Sequence, residues 1–165
     1  ERPAAGGAAD GGPPVLGGEA AAVLVRRTLE VAEHVVEGAA KLIAQSGAAG
    51  AVSIEAGSFF ERVPGPAHAY IMNHINQAWD DGRALKTLAN MGKAMKPAGR
   101  IILLESVLAS SNEPDFGKLI DLEMLVMPGG RERTADEFRA LFQRAGFTVT
   151  KIVPTKSPLS VIEAR

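Results

Sequence analysis

The run from Ile101 to Leu108, IILLESVL, constrains this chain more than any other segment. It is too continuously apolar for a strand with one wet face, and so predicts a central strand covered on both faces. After a loop, Lys118 to Met127 reads as a buried helix. Thr134-Ala-Asp-Glu137 then spells a capping box, in which hydroxyl and carboxylate each satisfy a backbone N–H of the other residue. The helix it opens shows Phe138, Leu141, Phe142 and Ala145 on one face and is closed by Gly146. Thr148 to Val153 and Leu159 to Ala164 read as an antiparallel pair.

Upstream, residues Glu1 to Ala22 are mostly Ala, Gly and Pro, with Pro13-Pro14 between glycine pairs. Such a segment buries little and has much chain entropy to lose, so residues 1–22 are expected to be loosely held, with the folded domain spanning 23–165. Val23 to Val25 suits a short strand. From Val31 to Gln45, the residues Val31, Val35, Ala39, Leu42 and Ile43 recur at helical spacing, and Ser46-Gly47 ends the run. Ala51 to Ala56 alternates as a strand and leads into Gly57-Ser58-Phe59-Phe60. Ala67 to Met72 is another strand. Asp80 to Met95 is an amphipathic helix, with Leu85, Leu88 and Met95 opposite Arg83, Lys86 and Lys93, stopped by Pro97 and Gly99. Strand–helix alternation ending in a hairpin implies an α/β sandwich with a mostly parallel sheet.

Composition narrows the function. The 165 residues fit one domain, and net charge is −1 with no basic face, which argues against a nucleic-acid partner. No apolar run approaches the length of a membrane span, and no signal peptide is evident. Cysteine is absent, which removes disulfides, thiol catalysis and cysteine-ligated metal; no metal site is expected. The expectation is a cytoplasmic domain.

In an open α/β sheet the ligand sits beyond the carboxyl ends of the strands. There the sequence Ile71-Met-Asn-His-Ile-Asn-Gln-Ala-Trp-Asp-Asp81 resembles, without a gap, the I-M-K-H-x-x-H-D-W-D-D segment of the S-adenosylmethionine-dependent small-molecule O-methyltransferases, the caffeate-type and polyketide-tailoring family. The similarity runs from about His34 to Arg165. It implies a Rossmann-like class I methyltransferase sandwich, transferring a methyl group to a hydroxyl of an aromatic or polyketide-like small molecule. It also implies S-adenosylmethionine as cofactor.

Matching the family's motifs position by position gives the candidate site. Gly11 and Gly12, after Asp10, fall at the family's glycine-rich turn, although Pro13 and Pro14 remove two amides and no apolar strand precedes them. Glu30 is the acidic candidate for the ribose hydroxyls after a one-residue slip; without it Val31 holds that place, and Glu30 reads as a solvated residue at a helix start. Gly57, Ser58 and Phe59 stand where the family has G-D-x-F, so a hydroxyl replaces the carboxylate facing the adenine, and Phe59 can pack on the purine. Asn73 replaces a lysine, and Trp79 is retained on the cofactor side.

On the catalytic side, Gln77 occupies the general-base position and Ala78 replaces the neighbouring aspartate. An amide cannot take a phenol's proton near neutrality. His74 either substitutes for it or is a structural histidine. Glu105 and Glu132 match the carboxylates that flank the family's base, although Glu132 also suits pairing with Arg131 or Arg133. Met124 and Met127 match the lining of the acceptor pocket, or simply core.

These departures on ligand-contacting positions fit three origins: a non-catalytic relative kept for binding, a sequence altered to remove activity, or an incorrectly joined front over residues 1–30. The alternative to an enzyme is therefore an inactive binding or scaffolding module of the same fold. The family's N-terminal helical domain, which dimerises and helps close the acceptor pocket, is expected to be missing, so no homodimer geometry carries over. Without a strand from residues 1–22, the sheet is expected to have a gap.

Overall fold

The computed structural model describes residues 27–31, 36–46 and 49–165, the first of these as backbone alone. The strand expected at 23–25, the loose segment 1–22 and the turn at Gly11 and Gly12 lie outside the described residues, as does Gly47.

The described residues form two sheets. Strands β1 (Arg27–Val31) and β2 (Val52–Ala56) pair in parallel, with Leu29 opposite Ile54. The larger sheet is ordered β3 (Ala67–Asn73), β4 (Met95–Leu108), β7 (Leu159–Ala164), β6 (Val149–Pro154), and the short β5 (Arg133–Thr134) joins the far end of β4. Strands β3 and β5 run parallel to β4, whereas β6 and β7 form the antiparallel hairpin. The mostly parallel α/β architecture and the central place of 101–108 agree with the sequence reading. Among the described residues no strand joins the two sheets.

The core forms between β4, β7 and the helices α2 (Asp81–Ala94) and α4 (Ala135–Arg144). Leu88, Ile101, Leu103, Phe138, Leu141, Phe142 and Ile162 are all sealed from solvent there. Each such side chain contributes roughly 1.5–3 kcal/mol by leaving water. Both helices start on satisfied caps. Asp80 Oδ1 accepts the Arg83 N–H at 2.8 Å. Thr134 Oγ1 accepts from Glu137 N at 3.3 Å while Thr134 N donates to Glu137 Oε2 at 2.8 Å, the reciprocal pair foreseen from the sequence.

Three expectations need correction. Helix α1 (Val36–Gln45) begins five residues later than Val31, and none of its residues is buried. Val31 and Glu30 belong to β1, because pairing with the segment at 52–56 overrides the helical spacing of the apolar residues. Glu30 is therefore not at a helix start. Met95 lies beyond the end of α2 as the first residue of β4. Helix α3 (Phe116–Val126) is present but is not a buried helix. Only Gly117 is buried, and Phe116, Leu119, Leu122, Leu125 and Val126 stand in solvent. Apolarity identified the helix, but nothing among the described residues covers its outer face.

Candidate active site

The chain leaves β3 at Asn73, opposite Leu104, and turns sharply at His74, whose φ is 54°. A left-handed backbone is uncommon outside glycine, though histidine adopts it more readily than most residues. Leu104 O accepts the His74 N–H at 3.1 Å. Glu105 Oε1 then accepts the next two amides, Ile75 N at 3.1 Å and Asn76 N at 2.8 Å. One 3₁₀ turn, Asn76–Ala78, carries Gln77 before Asp80 caps α2. The acid that ends the apolar run of β4 thus tethers the whole segment at the strand ends.

The turn after α3 closes on that segment. Arg131 N donates to Gln77 O at 2.8 Å. A side chain at Gly130 would collide with Gln77 O, and its Cβ would stand 2.5 Å from Ala78 C, so only glycine permits this approach. Glu132 is carried inward and its N–H donates to Asp121 Oδ1 at 2.8 Å.

The outcome is an open cleft of about 450 Å³ beyond the carboxyl ends of β3 and β4. His74, Gln77, Met124 and Met127, four of the residues singled out from the sequence, line it together with Ala78, Glu123 and Pro128. His74 is exposed there and not packed in the core. Met127 is 75% exposed and Met124 half-buried, so neither is a core methionine.

Glu105 and Glu132 lie behind this surface, 0% and 1% exposed. Burial raises the Glu105 pKa, against the opposing pull of the Asn76 and Ile75 amides and of the His74 and Arg133 charges. Burial, with the Glu105 and Asp121 charges, pushes Glu132 up to about 7. Among the described residues neither Glu132 oxygen has a hydrogen-bond partner, nor has Glu105 Oε2, Gln77 Oε1, Asn76 Nδ2 or Trp79 Nε1. Pairing of Glu132 with Arg131 or Arg133 is not what forms: Arg131 pairs with Glu137, and Arg133 with Asp81.

The candidate cofactor residues among those described lie outside the lining of the cleft. Gly57, Ser58 and Phe59 follow β2, with Gly57 exposed and the other two half-buried. Asn73 is exposed at the end of β3, and Glu30 lies in β1 opposite Glu55. The rings of Phe59 and Phe60 are 4.6 Å apart, and Phe60 meets Trp79 edge-on at 4.9 Å. Arg83 sits over the Trp79 ring at 5.1 Å.

Arg133 is the important residue that sequence reasoning missed. It is 1% exposed, and its Nη1 reaches Asn76 Oδ1 at 3.1 Å while Nη2 reaches Trp79 O at 3.1 Å and Asp81 Oδ1 at 2.9 Å. It is the guanidinium that is buried, and a buried cation needs an anion, which half-exposed Asp81 of the matched motif supplies. No helix among the described residues is long and apolar enough to cross a membrane.

Comparison with known proteins supplies a family. A profile of the O-methyltransferase domain matches residues 27–148. The phenazine O-methyltransferase PhzM of Lysobacter antibioticus is 42% identical over 132 residues, 80% of this chain and 39% of that protein. The mitomycin biosynthesis 6-O-methyltransferase of Streptomyces lavendulae is 33% identical over 143 residues, covering 86% and 40%. Among solved structures, LaPhzM superposes with a TM-score of 0.81 at 41% identity, covering 85% of this chain and 42% of that one. NcsB1 from neocarzinostatin biosynthesis, in complex with S-adenosylmethionine and 2-hydroxy-5-methyl naphthoic acid, gives 0.74 at 27% identity, covering 83% and 40%. The chain thus spans about 40% of the length of the curated relatives it matches.

Proposed function

The chain belongs to the O-methyltransferase domain family, and we propose that it carries the cofactor and acceptor faces of an S-adenosylmethionine-dependent enzyme that methylates a hydroxyl of an aromatic or polyketide-like small molecule. One observation carries this reading. A single cleft at the strand ends gathers His74, Gln77, Met124 and Met127 in front of two buried carboxyl groups.

S-adenosylmethionine, when bound, supplies a methyl group on a sulfonium sulfur. Ser58, Phe59, Asn73 and Trp79 would hold it, joined by Gly11, Gly12 and Glu30 from the family resemblance. The described residues fit such a group. The Trp79 indole N–H is buried without an acceptor among them, and the Phe59, Phe60 and Trp79 rings make an aromatic wall suited to a purine. The hydroxyl at Ser58 offers a weaker, neutral contact where the family has a carboxylate, so affinity for the adenosyl end is reduced.

The acceptor would lie against Met124 and Met127, whose flexible thioethers adapt to a flat ring. Gln77 can hydrogen-bond the acceptor's oxygen but cannot remove its proton. The tether from Glu105 to the Ile75 and Asn76 amides keeps position 77 at a fixed height over the cleft. Alignment of the two substrates is the larger part of what this site supplies.

Calorimetric titration with S-adenosylmethionine and S-adenosylhomocysteine tests the reading. Binding in the micromolar range is expected. Silence at millimolar ligand would remove the enzyme assignment and leave a binding module of the same fold.

A further inference from the structure

Methylating a neutral hydroxyl requires that its proton go somewhere, and Gln77 cannot take it. Among the side chains lining the cleft, only His74 and Glu123 carry a titratable group. A carboxylate is a far weaker base toward a phenol than an imidazole, whose proton exchange falls nearest neutrality. We propose that His74 is the base that accepts the acceptor's proton in this chain, a role the family resemblance assigns to position 77. The proposal rests on the O-methyl-transfer reading above.

The backbone geometry favours it. His74 is the first residue past β3, and its left-handed turn places it on the exposed wall of the cleft instead of in the sheet. Its own N–H is held by Leu104 O, and the two amides that follow are held by Glu105 Oε1. The chain on both sides of the imidazole is therefore fastened to β4, an interior strand between β3 and β7. A base needs such a rigid mount to stay within reach of a reacting oxygen.

Charged groups stand on the elements around the cleft. Glu105 from β4 and Glu123 from α3 face this region, with Glu132 and Arg133 further along the segment that enters α4. The His74 charge is one of the influences that oppose the burial-driven rise of the Glu105 pKa, which places the two groups near one another. In the step, the acceptor's O–H proton passes to the unprotonated imidazole nitrogen. The bonding pair stays on oxygen as the nucleophile, and the imidazolium returns its proton to water.

The test compares the unchanged protein with His74→Asn, which tolerates the same left-handed backbone. Catechol serves as a neutral acceptor, and 4-nitrocatechol, in mildly alkaline buffer, as one already ionised. Loss of a general base is expected to slow transfer to catechol by about a hundredfold. Transfer to 4-nitrocatechol should fall by a much smaller factor than transfer to catechol, since no proton needs removing. A second arm omits the cofactor and reads the visible absorbance of bound 4-nitrocatechol against pH. Its ionisation should move to higher pH in His74→Asn. Equal rates and equal ionisation curves in both proteins would overturn the assignment of His74 while leaving methyl transfer standing. No transfer to either acceptor by the unchanged protein would overturn the methyl-transfer reading, and the inference with it.

Discussion

Arg133 and Asp81 form the lock that fixes the candidate catalytic segment to the rest of the molecule. Nε and Nη2 of the guanidinium both reach Asp81 Oδ1, at 3.2 and 2.9 Å, across 52 positions of sequence. The remaining donors take Asn76 O and Trp79 O, so one side chain clamps both ends of the 3₁₀ turn that bears Gln77. Burial alone would raise the Asp81 pKa, but the hydrogen bond and charge of Arg133, aided by Arg144, bring it below the usual value.

Removing the clamp should be costly. Arg133→Ala strips the Asn76 and Trp79 carbonyls of their donor and leaves Asp81 only its ion pair with Arg144, and is expected to destabilise the fold by about 3 kcal/mol. Arg133→Lys keeps the charge but loses the fork, for an expected loss of about 1–2 kcal/mol. Urea denaturation of the three proteins gives the order directly. An alanine variant within about 0.5 kcal/mol of the parent would show that the clamp is incidental.

Glu132 predicts an opposite and separable pH effect. Its folded pKa is raised, from 4.5 to about 7, so the native chain holds a proton that the unfolded chain releases. Any stability linked to that proton is fully present below pH 4.5 and is lost as pH climbs through about 7, a change on the order of 3 kcal/mol. Asp81 has the reverse sign: its contribution is present above 3.8 and is lost as pH falls through its lowered folded value. Glu132→Gln mimics the protonated acid. Relative to the parent it should gain stability as pH rises from about 5 to 8, most steeply between those ends. Parallel stability–pH curves for the two proteins would show that Glu132 does not hold its proton.

What the sequence revealed, and what it hid, follows from distance along the chain. The capping box needs only Thr134 and Glu137, three residues apart, and was legible. So was the interior place of β4 between β3 and β7, although only alternate residues such as Ile101 and Leu103 are sealed while Ile102 and Leu104 are half-buried. The strand at 27–31 was not, because its state is decided by a partner at 52–56. Arg133 was read only against its neighbour Glu132, since its true partners lie more than fifty residues upstream. The motif around Ile71 to Asp81 located the cleft, but it could not say that His74 would stand open on its wall.

The exposed face of α3 gives a contrast within one residue type. Leu103 is fully buried in the core, while Leu122 is 60% exposed. Leu103→Ala should cost about 2–5 kcal/mol through lost contacts and a residual cavity. Leu122→Ala should stay within about 0.5 kcal/mol, because it gives up little burial and keeps a good helix former. Thermal unfolding of both variants decides the matter, and similar losses would mean that the outer face of α3 is covered in solution.

Gly130 tests how tightly the two halves of the site are joined. A Cβ there would press on Gln77 O, Ala78 C and Trp79 N, all backbone atoms that cannot swing aside. Gly130→Ala is therefore expected to cost about 1–3 kcal/mol and to shift the 3₁₀ turn. Trp79 is the only tryptophan in the chain, so its fluorescence reports that shift without a label. Unchanged emission and unchanged stability would mean that the turn after α3 leaves room for a methyl group beside Gln77 O.

Position 77 itself can be given back a base. Glu105 and Glu132 remain behind it, two carboxyl groups suited to orienting and stabilising an imidazole that this chain lacks there. Gln77→His with Ala78→Asp puts a base and its neighbour back on a scaffold that is already tethered by Glu105. Made on the His74→Asn background, so that no other imidazole lines the cleft, the double change should raise transfer to catechol by at least about tenfold. Transfer to 4-nitrocatechol should hardly respond, because its proton is already gone. If S-adenosylmethionine binds yet neither phenol gains, the acceptor surface formed by Met124 and Met127 has lost its fit, and restoring the base cannot compensate.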